Sequence, residues 1–294
     1  MATPRTVHLI DALPYVFRAY FSLPESITDP KGRPVNAVRG FGEFLVRYLA
    51  EESPTHAAVA FDLSLNSSFR NEIYPLYKSS RDLPPPELER QLTACQDLSR
   101  ALGFQTIASE RFEADDLIGA LAMQLGKQGQ RCVVVTSDKD LAQLVNAHTI
   151  MYDYAKGIRY DEAGVLEKWG VRADQIVELL GLAGDPVDDI PGVRGVGPKT
   201  AVPLLNAFEN LDELYANLEK VADIEMRGAR TLGAKLEAAR DDAMLSRELA
   251  RLAYDAPVDA KLSSLAWNGP NAEALGALLA ELGLERLAER LPRS

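Results

Sequence analysis

Nine carboxylates in this 294-residue chain stand where a predicted element begins or ends, and their grouping suits hard cations. Phe112-Glu113-Ala114-Asp115-Asp116 runs directly into Leu117, Ile118, Leu121, Ala122 and Leu125. That apolar spacing predicts a helix with one buried face, which puts Glu113 and Asp116, three apart, on one side of its first turn. Acids at a helix N-terminus can simply complement the macrodipole. Six more, however, end other elements in the same way: Asp11, Asp62, Asp138, Asp140, Asp185 and Asp188. Oxygen-only ligands select Mg²⁺ or Mn²⁺ rather than zinc. Two such ions about 4 Å apart clamp the attacking and leaving oxygens of a phosphodiester. Clustered carboxylates also need cations if all are to stay ionised.

The elements that must deliver these acids are legible as short apolar runs. Val7-His8-Leu9-Ile10 ends in Asp11, Ala57 to Phe61 ends in Asp62, and Cys132 to Val135 leads through Thr136 and Ser137 to Asp138. Helical patterns such as Phe41, Phe44, Leu45, Tyr48 and Leu49 separate them. Continuous apolar runs alternating with helices predict an α/β fold, a mostly parallel central sheet covered by helices on both faces. Ligands of such sheets bind beyond the carboxyl ends of the strands. One strand-end Asp is an ordinary turn former or cap. Three, together with the Glu113 helix, argue for a shared site.

Between Asp62 and the next helix lie Phe69-Arg70, Tyr74, Tyr77-Lys78-Ser79-Ser80-Arg81 and Pro84-Pro85-Pro86. Cations interleaved with aromatics suit phosphate contact and base stacking, although a solvated loop has the same composition. The helix from Glu87, with Leu88, Leu92, Cys95 and Leu98, reads as ordinary packing ended by Gly103. From about Val171 the texture is helical only. Gly184-Asp185-Pro186-Val187-Asp188-Asp189 leads to Arg194-Gly195-Val196-Gly197-Pro198-Lys199-Thr200. Gly195 and Gly197 permit a tight turn, and Pro198 suits the first position of a helix. The exposed amides, with Lys199, predict a seat for a nucleic-acid backbone phosphate. The expected organisation is an α/β domain at 1–170 with an arch-like region about 75–95, a helical DNA-binding domain at 171–260, and helices at 261–294 packed on the core.

Composition agrees with a soluble protein: 47% of residues are hydrophobic and 26% charged. No apolar run reaches the roughly 20 residues that span a bilayer, and the expected compartment is cytoplasmic, with no membrane partner. Cys95 and Cys132 read as reduced core thiols. The net charge of −11 counts at first against nucleic acid, but setting the nine acids aside leaves 34 acidic against 32 basic residues, so the excess is local to one site.

Taken together, IDALPYVFRAYF, AFDLSLNSSFRNEIYPLYKSSR, FEADDLIGALA, VVVTSDKDLAQLV and GDPVDDIPGVRGVGPKTA resemble, in order, the motifs of the 5′-nuclease family of flap endonucleases and 5′→3′ exonucleases. The resemblance covers about Val7 to Val258. It implies a two-ion nuclease whose acidic cluster is Asp11, Asp62, Glu113, Asp115, Asp116, Asp138, Asp140, Asp185 and Asp188. It also implies catalytic cations at Arg70, Lys78 and Arg81, and DNA contacts from Arg18, Tyr77, Lys78, Arg194, Gly195, Gly197, Lys199 and Thr200. In some relatives the Gly-x-Gly turn holds K⁺ through backbone carbonyls, here those of Val193 and Val196. Ala12, Pro14 and Pro186 depart from the family pattern without removing a ligand. The implied partner is branched or nicked duplex DNA with a 5′ flap or 5′ end, bound by a monomer in transient contact with a polymerase or clamp, at the bacterial nucleoid. The competing reading is a non-catalytic DNA-structure-binding protein, which would have lost one or more of the acids. A single-domain ribonuclease would lack the Gly184–Ala201 segment.

Overall fold

The computed structural model describes residues 4–63, 68–82 and 84–291. Residues 64–67, inside the second motif, and Leu83, inside the arch-like stretch, lie outside the described residues. Strand β1 (Thr6–Asp11) is central, and its last five residues are buried because it is covered on both faces. Helices α1 (Leu13–Ser22) and α2 (Asn36–Glu52) follow, then β2 (Ala57–Asp62), paired parallel to β1. After the short helix α3 (Arg70–Ile73) and helix α4 (Pro86–Ala101) comes β3 (Gln105–Ser109), parallel to β2. Helix α5 (Ala114–Lys127) then carries the chain back to β4 (Arg131–Val135), on the other side of β1. Strands β5 (Thr149–Asp153) and β6 (Ile158–Tyr160) complete a six-stranded sheet of order β3-β2-β1-β4-β5-β6, in which only β6 is antiparallel.

The strand order reverses between β1 and β4, and a crevice at the carboxyl ends follows from that reversal. Asp11 ends β1 at this point, and Asp138 lies three residues beyond β4. Alternate strand residues feed different cores, as period-two pleating requires. Ile10, Val59 and Val135 pack under α1, α2 and α4, whereas Leu9, Ala58 and Val134 pack under α5.

The second unit is built on helices α6 (Glu162–Trp169), α7 (Ile176–Ala183), α8 (Pro198–Ala207), α9 (Leu211–Ala216), α10 (Ala229–Ala238) and α11 (Arg240–Ala250). Their apolar faces share one core that includes Leu179, Leu182, Leu204, Leu211, Leu236 and Leu249. The chain then returns along the first domain through the short helix α12 (Leu262–Leu265), where Trp267 donates its indole N–H to the Leu102 carbonyl at 2.9 Å. Helix α13 (Ala272–Leu282) inserts Leu275, Leu279 and Leu282 into the core beside α4. Only the first half of the arch-like stretch is free of that core. Leu88, Leu92 and Cys95 are buried against α2, so from Pro86 onward the chain is a core helix and not an arch.

Candidate active site

Each strand end delivers its acid into the β1/β4 crevice, and burial there raises the cost of charge. Asp11 is 4% exposed and accepts a hydrogen bond from Thr136 Oγ1 at 2.8 Å. Burial, reinforced by the charges of Asp138 and Asp62, pushes its carboxyl up to about 8 against that hydrogen bond. Asp62 is pushed up to about 6 by burial and then by Glu113. Asp115 rises well above the usual range through burial and the charges of Asp138, Asp11, Asp62 and Glu113. Asp138 is also raised by burial, although the Asp140 amide donates to it at 2.9 Å. Asp140 reaches about 8 through burial and its neighbour Asp138, and its buried Oδ1 has no hydrogen-bond partner. The strand pairing places acids from β1, β2, α5 and the turn after β4 near enough to feel one another's charge.

The second domain contributes Asp185 and Asp188 from the loop after α7. That loop is braced by reciprocal backbone bonds between Asp185 and Ile190, both 2.9 Å. Gly184 and Gly192 have φ of +67° and +61° and meet backbone to backbone where no Cβ would fit. A pocket of about 330 Å³ opens between Pro14, Arg81, Asp138, Asp140, Asp185, Val187 and Asp188.

Protein cations stand among these acids. Lys78 Nζ lies 2.8 Å from Glu113 Oε1 and 3.8 Å from Asp188 Oδ2. Arg81 pairs with Asp188, and Lys139 pairs with Asp185. Glu113 is the exception to the upward trend: burial would raise it, but Lys78 and Arg70 hold it below the usual carboxylate range. Lys78 has φ of +53°, rare for a residue with a side chain, and its amide donates to the Asp188 carbonyl at 3.0 Å. Backbone strain of this kind collects at functional sites because the surroundings must enforce it.

Three expected roles are corrected by the packing. Asp116 is fully buried, and each oxygen already accepts twice. Oδ2 takes Arg70 Nη1 at 2.8 Å and the Glu113 amide at 3.1 Å. Oδ1 takes Arg70 Nη2 and the Ala253 amide, both at 2.8 Å. No lone pair is left for a metal, so Asp116 is an anchor and not a ligand. Arg70 spends its remaining donors on the Leu249 and Arg251 carbonyls and is 2% exposed, so it cannot reach a substrate phosphate. Tyr77 is 3% exposed and donates its hydroxyl to Glu113 at 3.1 Å, which removes it from base stacking.

Arg194, Gly195, Gly197 and Lys199 are exposed at the α8 N-terminus, with Thr200 half-buried behind them. Val193 and Val196 are buried, and the Val196 amide closes the turn onto the Val193 carbonyl at 2.8 Å. Arg18 is exposed but faces a different groove of about 930 Å³, beside Arg47 and Tyr154. Sequence reasoning missed Thr136 and Lys139. Both lie inside the VVVTSDKD motif, and their positions flanking Asp138 were the available signal.

The donor chemistry fits divalent metal. All the donors are carboxylate oxygens, five acids are held up for want of positive charge, and Asp140 Oδ1 is orphaned. Among the described residues no three acids stand close enough to chelate one ion as they are. That spacing suits Mg²⁺, which keeps several waters.

Fold and site together define an acid-edged α/β domain followed by a helical domain, the architecture of a 5′-3′ exonuclease. The family described as 5′-3′ exonuclease, N-terminal resolvase-like domain, matches residues 6–170, and the 5′-3′ exonuclease C-terminal SAM fold matches residues 171–273. The chain belongs to the 5′-3′ exonuclease family. It is 38% identical over 295 residues to DNA polymerase I of Bacillus subtilis, covering 99% of this chain and 33% of that protein. The chain thus spans about a third of the curated relatives it matches. Its fold is that of the T5 5′-exonuclease with bound zinc (TM-score 0.70, 18% identity, 97% of this chain and 99% of that one). It is equally that of the bacteriophage T5 flap endonuclease in a complex with DNA and metal ions (TM-score 0.69, 19% identity, 97% of each chain).

A pH dependence follows. Asp11 and Asp140 bind protons more tightly folded than unfolded, so the metal-free protein should lose stability as pH rises toward and through about 8. His8, held down to about 4 by burial, works the other way, but only below about 6.5. Between pH 6.5 and 8.5 the Tm in chelator should therefore fall, and Mg²⁺ should restore more at 8.5 than at 6.5. A Tm that stays flat or rises across this window would contradict the charge crowding.

Proposed function

We propose that this chain is a structure-specific 5′-nuclease that hydrolyses phosphodiesters in DNA with a 5′ flap or a 5′ end, at branched or nicked duplexes arising in replication and repair. The observation that carries the reading is the gathering of Asp11, Asp62, Asp115 and Asp138 from separate strand and helix ends at one crevice, each raised above the usual carboxylate range by burial and then by neighbouring acids. The proposed cofactors are two Mg²⁺ or Mn²⁺ ions, one beside Asp11, Asp62, Glu113 and Asp115, the other beside Asp138, Asp140, Asp185 and Asp188, partly through water. Such ions activate a water and neutralise charge on the oxygens of the scissile phosphate. The metal ions and DNA in the T5 flap endonuclease structure support this reading.

The chain's own residues supply the rest. Lys78, buried beside Glu113, and Arg81, on the pocket wall next to Asp188, stabilise charge on the scissile phosphate. Arg70 and Asp116 position Glu113 from behind. The turn at Arg194, Gly195 and Gly197, with Lys199 and Thr200, seats a duplex phosphate at the α8 N-terminus. Gly197 has an ordinary φ of −102°, and nothing lies within 4 Å of the Cβ it lacks, so the fold does not require glycine there. The open space is consistent with close approach by a ligand. A K⁺ held by the Val193 and Val196 carbonyls would strengthen the same grip. Arg18 serves a more distant stretch of the nucleic acid. The protein acts as a monomer, in transient contact with a polymerase or clamp, in the bacterial cytoplasm at the nucleoid.

End-labelled 5′-flap, nicked and blunt duplexes, incubated with and without Mg²⁺, test the reading through product lengths. Cleavage should require the metal and leave a 5′-phosphate. Asp138→Asn should abolish cleavage while flap DNA still binds, and full retained activity would take Asp138 out of the site. For Lys78→Ala the single-turnover rate should drop about 10²–10³-fold, the cost of losing one electrostatic stabiliser; an unaltered rate places Lys78 outside the chemistry. Gly197→Ala should fold normally yet bind duplex more weakly, with a shallower dependence of affinity on salt. The same slope as the parent protein would remove the phosphate seat.

A further inference from the structure

Two lysines stand inside the carboxylate cluster, one in each half. Lys78 serves the Glu113 half. Lys139 falls in sequence between two of the acids, Asp138 and Asp140, at the start of a short 3₁₀ helix, Lys139–Leu144. Its ammonium hydrogen-bonds Asp185 Oδ2 and lies 3.7 Å from Asp140 Oδ1, the buried oxygen without a hydrogen-bond donor. Asp140 belongs to the sheet domain and Asp185 to the helical domain. Lys139 therefore ties Asp140 to Asp185 across the two domains, as Lys78 ties Glu113 to Asp188. Its side chain is 49% exposed, against 9% for Lys78, so solvent is open to it.

We propose that Lys139 is a built-in placeholder for the second divalent ion: it holds Asp140 and Asp185 together while no metal is bound, then swings into solvent and yields them to the metal. The inference rests on the two-ion reading above. One ammonium offsets a single carboxylate charge among the four acids of this half, whereas a dication beside them offsets two, so exchange is favourable. The loss on release is limited, because the lysine head is already half in solvent while the buried Asp185 exchanges one cation for another and is not left unpaired, and a freed lysine regains rotamer entropy. Lysine suits the role better than arginine. Its head is a compact point charge on a flexible stem, while a guanidinium would lock the carboxylates in a planar fork. That lock is what Arg70 imposes on Asp116, where no exchange is required. Competition by Lys139 weakens the second ion without touching the first.

The test is Mn²⁺ alone, with free ion counted by electron paramagnetic resonance, titrated into the full chain and its variants. The parent should bind two ions. In Lys139→Met the weaker ion should tighten about two- to fivefold, equivalent to ~0.5–1 kcal/mol of lost competition. Lys139→Arg should not tighten it. Lys127→Met, at the far end of α5 and about 20 Å from Glu113 at 1.5 Å per residue, removes the same charge and should leave both affinities unchanged. Without metal, amide exchange over residues 185–192 should be faster in Lys139→Met than in the parent, and Mn²⁺ should erase the difference. Two ions bound by the parent, with the weaker one unchanged or loosened in Lys139→Met, overturns the placeholder alone. Equal tightening in Lys127→Met also overturns it, by reducing the effect to net charge. Fewer than two ions in the parent overturns the two-ion reading along with it.

Discussion

Like charge crowded into a buried crevice is the constraint on which this molecule turns. Five carboxylates whose ordinary range lies near 4 are held above it by burial and by one another. A fold that served stability alone would not gather them, since an ionised carboxylate loses several kcal/mol of hydration on burial unless it is paired. The compensating groups sort by strength. Arg70 forms a permanent bidentate lock on Asp116, deep behind the site. Lys78 is buried between Glu113 and Asp188, while Arg81 beside Asp188 and Lys139 beside Asp185 are more open to solvent. The arrangement is stiff at the back and more open at Arg81 and Lys139, as a site that must admit cations and phosphate requires.

The stiffness has identifiable sources. Glu113 caps α5 while Asp116 accepts the Glu113 amide, a reciprocal cap that fixes the first turn. Asp116 also accepts the Ala253 amide, and Arg70 donates to the carbonyls of Leu249 and Arg251. One buried ion pair thus joins the segment after β2, the start of α5 and the chain leaving α11. Thr136 does similar work on the other side, donating to Asp11 and accepting from the Asp138 amide at 2.9 Å, so the two acids at the strand reversal are set by one hydroxyl.

Much of this was legible in the residues, and the failures share a cause. The apolar runs ending in Asp11 and Asp62 became β1 and β2, because doubly covered parallel strands have to be continuously apolar. The helix at Glu113 and the Pro198 start of α8 were readable from period and capping chemistry. What periodicity could not resolve was which of two neighbouring polar groups faces the cleft. Asp115 and Asp116 are adjacent and chemically equal, yet one lines the crevice and the other is sealed beneath Arg70. Tyr77 and Lys78 pose the same problem, since an aromatic beside a cation reads as a stacking surface until tertiary contacts turn its ring inward. The partners that decide these cases are distant in sequence: Leu249 to Ala253 for Arg70 and Asp116, Glu113 and Asp188 for Tyr77 and Lys78, beyond the reach of any local pattern.

The second domain's position follows from the same economy of backbone. Asp185 and Asp188 are separated from the Gly195–Gly197 turn by a short loop with almost no freedom. The Gly192 amide donates to Ser246 Oγ on α11, and the Val193 amide donates to the Leu182 carbonyl on α7, both at 2.8 Å. At the near end, the Lys78 amide is bound to the Asp188 carbonyl. A phosphate seated on the turn would therefore stand at a set distance from the crevice, measured along a braced loop and not across a hinge. This explains why the glycines differ in kind. Gly184 and Gly192 are required by backbone crossing backbone, whereas Gly197 meets nothing in the protein. Gly197 shares that open space with Gly126 and Gly276, so what sets it apart is its place at the end of a loop tied to the acids.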